Sequence, residues 1–134
     1  MSDYPCVIVS LHVATGAAAG ALTRSRPLAL LLGPVVHVAG DRVPHDDIHS
    51  IRFEVGSGLV ALGLLAARRG PFDPAVLGAA AASAPDLEHL VPWVRPRGKK
   101  LFHREGHIDS GIPTGVQLFA AAAIVGYLLR DRRR

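Results

Sequence analysis

Two stretches of this chain, Tyr4 to Thr23 and Ile112 to Leu129, contain no Lys, Arg, Asp or Glu, and both are rich in alanine and glycine. Each approaches the ~20 residues that an apolar helix needs to cross a bilayer. Such segments belong either in a membrane or in the middle of a packed helical core. Hydrophobic residues make up 49% of the chain but aromatic residues only 5%. Small side chains at this density suit helices that approach one another closely, whereas a β-sandwich needs more β-branched and aromatic residues. The expectation is an all-α fold, a compact bundle of about five helices in one domain spanning residues 1–134, with a basic tail at 130–134. Membrane association, at the cytoplasmic membrane, is expected with it.

Proline, glycine and arginine mark the helix ends. The first apolar segment runs from about Cys6 to Leu22 and stops at Arg24-Ser25-Arg26-Pro27. The second runs from Pro27, a residue suited to a first helical turn, to Gly40. The third, Ile51 to Ala67, meets Arg68-Arg69-Gly70-Pro71, a basic last turn followed by two helix breakers. The fourth runs from Pro74 to Ala84 and the last from about Pro113 to Arg130. A faint repeat links the second and fourth segments, since Gly33 precedes Asp41, and Gly78 precedes Asp86, by the same spacing.

Short connections make neighbouring helices antiparallel, so their ends alternate between the two ends of the bundle. Arg24, Arg26, Arg68, Arg69 and the 130–134 tail then share one end. Asp41 to His49, Asp86 to His89 and His103 to His107 share the other. If the helices are embedded, the basic end faces the cytoplasm.

Charge and cysteine content narrow the chemistry. The formal net charge is +4 with seven histidines counted neutral. Basic residues gather at chain turns rather than along a reading face, which argues against sequence-specific nucleic-acid binding. Cys6 is the only cysteine, so a disulfide scaffold and a thiolate zinc site are both excluded. A metal would have to be held by His, Asp and Glu.

Three clusters offer those donors. In the first, His37, Asp41, His45 and His49 recur every four residues, the spacing of one helical face, but Pro44 allows only subsets of them to share it. The plainer reading is a polar loop with Asp46 or Asp47 capping the next helix. In the second, Pro85-Asp86-Leu87-Glu88-His89, Asp86 and His89 can share a face. The alternative is that Asp86 is an N-cap with Glu88 in the first turn. In the third, His103 and His107 stand four apart with Glu105 between them, a pair that suits zinc, although Gly106 weakens a regular helix. His12 stands alone on a small apolar helix, about two turns from its start, ~10 Å along the axis. A lone histidine there is ordinarily a core residue with one hydrogen bond.

At these residues the chain resembles the YdjM-like family of membrane-bound metal-dependent hydrolases. The matching stretches read His12-Val-Ala-Thr-Gly16, Pro85-Asp-Leu-Glu-His89 and His103-Arg-Glu-Gly-His107. Glu88 stands where the family has a second Asp. The last motif is one residue shorter between its histidines and has Asp109 before Ser110. The resemblance implies an α-helical, membrane-associated hydrolase with a metal site of His12, Asp86, His89, His103 and His107. Asp41 is added from spacing and topology.

The resulting expectation is metal-assisted hydrolysis. One or two divalent ions, zinc first and manganese or iron as alternatives, would bring the pKa of bound water toward ~7. Glu88 or Glu105 would serve as general base. Arg95, Lys99, Lys100 and Arg104, with Arg97, would hold an anionic group such as a phosphoester, in a small molecule or a lipid. The rival from another class is a non-catalytic helical membrane protein that binds or senses metal, or docks a partner through its basic end.

Overall fold

The computed structural model describes residues 8–46, 48, 50–91 and 111–131, with 89 and 90 described by backbone alone. Among the described residues the chain is all-helical, as expected. α1 spans Val9–Thr23, α2 Arg26–Asp41, α3 Ile51–Arg69 and α4 Pro74–Ser83. A 3-10 turn, Ala84–Asp86, leads into the short α5, Leu87–Leu90, and α6 spans Thr114–Arg130.

Local chemistry sets these ends. Ile8 is extended (φ −48°, ψ 125°), so α1 begins at Val9 and His12 lies one turn into it, not the expected two. Arg24 takes the left-handed conformation (φ 53°) and donates its N–H to Gly20, ending α1. Ser25 then caps α2, with Pro27 in the first turn. Ser50, rather than Asp46 or Asp47, caps α3 by accepting from the Phe53 N–H. Gly70, at φ 92°, closes α3, and Asp73 caps α4 by accepting from Ala75 at 2.8 Å.

Two kinds of helix contact hold the bundle. α1 and α4 run antiparallel with their backbones touching: a Cβ at Gly16 would collide with the Ala82 Cβ and the Gly78 carbonyl, and one at Gly20 with the Pro74 carbonyl. α2 reaches α4 the same way, through Gly33 against Ala81 and Ala82. The core between α1, α3, α4 and α6 includes Val13, Ala17, Leu65, Val76, Ala79 and Val125. At the far end α3 and α6 finish side by side. Arg68 Nε donates to the Leu129 carbonyl, and Arg69 Nη1 donates to the Leu128 and Asp131 carbonyls, all at 3.1 Å. Two arginines therefore serve the open carbonyls of a neighbouring helix terminus, where the dipole favours positive charge.

The alternation of ends holds: Arg26 Nε donates to the Phe72 carbonyl at that same basic end. At the opposite end the chain after α2 meets the chain before α6 in an isolated parallel bridge, His45 to Ile112. Asp46 donates its N–H to Ile112, and Ile112 donates to Pro44, each at 3.0 Å. The buried Gln117 amide donates to the Asp46 and Ile112 carbonyls at 2.8 and 3.0 Å, riveting the two segments. No helix among the described residues is long and apolar enough to cross a membrane.

Candidate metal centre

Close packing of α1, α2 and α4 brings four side chains from distant parts of the chain to one place. His12 comes from the first turn of α1, His37 and Asp41 from the last turns of α2, and Asp86 from the turn that ends α4. His37 and Asp41, four residues apart, share a helical face, the subset of the four-residue series that Pro44 permits. His12 Nε2 lies 3.1 Å from Asp41 Oδ1, and His37 Nε2 lies 3.1 Å from Asp41 Oδ2. Asp86 Oδ1 is 3.9 Å from His37 Nε2. The two imidazoles stack, with centroids 3.9 Å apart and planes 26° from parallel. Gly40 gives His12 room, since a Cβ there would sit 3.4 Å from its ring.

Both histidine side chains are fully buried, Asp86 is nearly so, and Asp41 is partly exposed. Ligand-sized donors from His12, His37 and Asp41 all lie within 4.8 Å of one another, a group that can hold a metal ion. The bearing of the imidazoles supports this. His37 Nδ1 lies 2.7 Å from the Ala82 carbonyl. A carbonyl only accepts, so Nδ1 carries the hydrogen, and in the neutral ring Nε2 presents a lone pair toward the carboxylates. Pro85 contributes to this arrangement: with no N–H, it cannot bond back to the last turn of α4, which leaves carbonyls there for other donors. His12 Nε2 is buried and faces Asp41 Oδ1 at 3.1 Å. A cation at the meeting point of these donors would be shared by all of them.

Electrostatics agree. Burial pulls the His12 imidazole below its ordinary pKa, with Asp41 opposing. Burial acts on His37 in the same direction, but the Asp41 and Asp86 carboxylates and the Ala82 carbonyl outweigh it, and its pKa is raised. Asp41 and Asp86 also sit at the C-terminal ends of α2 and of the α4 turn, where helix dipoles attract positive charge.

Of the donors expected from sequence, His12, Asp41 and Asp86 converge. Asp86 stands at the N-cap position of α5 with Glu88 in its first turn, as the plainer reading has it, but makes no side-chain capping bond there. Glu88 is buried, 3% exposed, two residues further on. The His89 side chain, His103, Glu105 and His107 lie outside the described residues, as do Arg95, Arg97, Lys99, Lys100 and Arg104. His37, which the sequence groups with Asp41 by its four-residue interval but does not single out as a ligand, joins His12 and Asp41. His45 is buried and bonds through Nδ1 to the Val43 carbonyl, which fastens the chain just past α2.

The chain matches no protein-family model, no curated protein sequence and no solved structure.

Proposed function

We propose that this protein is a metal-dependent hydrolase acting at a membrane surface on an anionic ester, a phosphoester in a small molecule or a lipid. The observation that carries the reading is the convergence of buried His12 and His37 on Asp41, with ligand atoms within 4.8 Å of one another and Asp86 beside His37. Paired imidazoles and carboxylates suit zinc first, and manganese or iron after it. A bound divalent ion supplies Lewis acidity and a water acidified toward ~7. His12, His37 and Asp41 would hold the ion, with the Ala82 carbonyl fixing the His37 tautomer, and Glu88 would serve as general base. Arg95, Lys99, Lys100 and Arg104 are proposed to hold the substrate anion, and His89, His103 and His107 to complete the ligand set. The likeness to the YdjM-like hydrolases supports the same assignment.

The membrane part rests on the surface. Large apolar side chains stand in the open on every outer helix: Leu31 (69%) and Val35 (61%) on α2, Leu59 and Val60 on α3, Phe119 (76%) on α6. Leu31 and Val35, four apart, share a face of α2, and contiguous apolar surface is what a membrane contact uses.

Ion content tests the reading first. Purified protein is expected to retain zinc or manganese, and a thousandfold excess of ion over its dissociation constant adds about 4 kcal/mol of stability to the stripped form. Protein that holds no ion and gains no thermal stability from either metal refutes it. Glu88→Gln separates enzyme from metal store: the enzyme reading requires retained metal affinity with turnover lost. Flotation with lipid vesicles checks the surface claim.

A further inference from the structure

We propose that the centre holds two divalent ions bridged by the Asp41 carboxylate; this rests on the metal reading above. The spacing of the imidazoles points there. On one tetrahedral ion with bonds of ~2.0–2.1 Å, each ring centre lies ~3.2 Å from the metal, so two such rings stand ~5 Å apart. The His12 and His37 rings are 3.9 Å apart and within 26° of parallel. Rings that close and that nearly parallel do not radiate from a single point. Side by side, each Nε2 faces its own oxygen of the Asp41 carboxylate. Paired catalytic ions sit ~3.5–4 Å apart.

The carboxylates match this division. Asp41 turns a different oxygen to each imidazole, Oδ1 to His12 and Oδ2 to His37, both at 3.1 Å. That is the disposition of a carboxylate spanning two ions. The first ion takes His12 Nε2 and Asp41 Oδ1. The second takes His37 Nε2 and Asp41 Oδ2, with Asp86 Oδ1 brought in from its 3.9 Å position. His89, His103 and His107, proposed above to complete the ligand set, would take further positions, and a catalytic ion leaves one to water or substrate. Two dications against two carboxylates and two neutral imidazoles leave the centre positive. That charge favours a substrate whose two oxygens span the pair, which selects a phosphoester over a neutral amide or carboxylic ester.

Stoichiometry and spin coupling decide the matter on the full chain. Protein loaded with Mn2+ and desalted is expected to hold two ions per chain and to show the electron paramagnetic resonance of an exchange-coupled pair. His12→Ala is expected to hold one ion and to show the spectrum of isolated Mn2+. One ion in the unaltered protein overturns the pair and leaves the metal centre standing. Two ions with uncoupled spectra place the second elsewhere and also overturn it. Protein that binds none overturns the pair and the underlying metal reading together. If His12→Ala fails to fold, the spectrum of the unaltered protein still decides.

Discussion

Helices α1, α2 and α4 meet through glycine and alanine, backbone against backbone, whereas α3 and α6 meet partly through arginines that reach across to carbonyls. The first group carries every described donor of the metal centre except the turn after α4, which extends it. The second carries none. Gly16, Gly20, Gly33 and Gly78 all lie where a Cβ would collide, while at Gly56 and Gly63 of α3, and Gly115 and Gly126 of α6, a Cβ would meet nothing. At Gly58 of α3 an added Cβ would meet the Val9 side chain of α1 at 2.5 Å, so glycine only makes room for one side chain in the second group and lets backbones touch in the first. Close approach there brings Ala82 of α4 within reach of His37 on α2, which looser, leucine-spaced packing would not allow.

The contrast can be broken by substitution. Gly16→Val forces α4 away from α1 and is expected to cost about 3 kcal/mol or more, a fall in melting temperature on the order of 10 °C. It should loosen metal binding as well, and a melting curve like that of the unaltered protein would abolish the distinction between the regions. Asp41→Ala removes the carboxylate common to both imidazoles and is expected to weaken ion binding by more than the ~10–100-fold lost when a group behind a ligand is removed. Calorimetric titration measures this, and an unchanged affinity would remove Asp41 from the site.

Gln117→Leu unpins the 45–46 segment from Ile112, for a loss of about 1–3 kcal/mol read in denaturant melts, with ion stoichiometry unchanged. Proton competition gives a further measure. His37 is raised above 6.5, so its bound proton stabilises the metal-free fold fully below ~6.5, and that contribution is lost as pH rises through the raised value. His12 is lowered, so protonating it in acid works against the fold. An ion must displace the His37 proton, so affinity should fall about tenfold per pH unit below the raised value. A flat affinity across that window would take His37 out of the ligand set. The smallest effect belongs to α3, where Gly63→Ala fills open space and is expected to stabilise by roughly 0.5–1 kcal/mol through helix propensity.

Sequence reading went furthest where chemistry is local. Pro27, Pro74, Gly70 and the paired arginines located helix ends to within a few residues, because each acts on its own turn. Alternation of short connections then put Asp41 and Asp86 at one end correctly. His37 was harder, since its role depends on a carbonyl 45 residues away in α4, a partner no spacing discloses. Asp86 was ambiguous for the same reason: after a proline it looks like an N-cap, and only packing turns it toward His37. Gly16 and Gly78 were visible as small residues, but Gly63 looked no different, because the local sequence does not reveal which glycine faces another backbone.

The glycine seam between α1 and α4 has a consequence for the order of assembly. During synthesis, residues 9–41 leave the ribosome as a two-helix hairpin well before 74–86 exist. Throughout that interval the face of α1 bearing Gly16 and Gly20 is bare, and His37 lacks the carbonyl that orients it. Any ion the site takes would meet its oriented His37 only once α4 has arrived, and the nascent hairpin is the stage most exposed to wrong apolar partners.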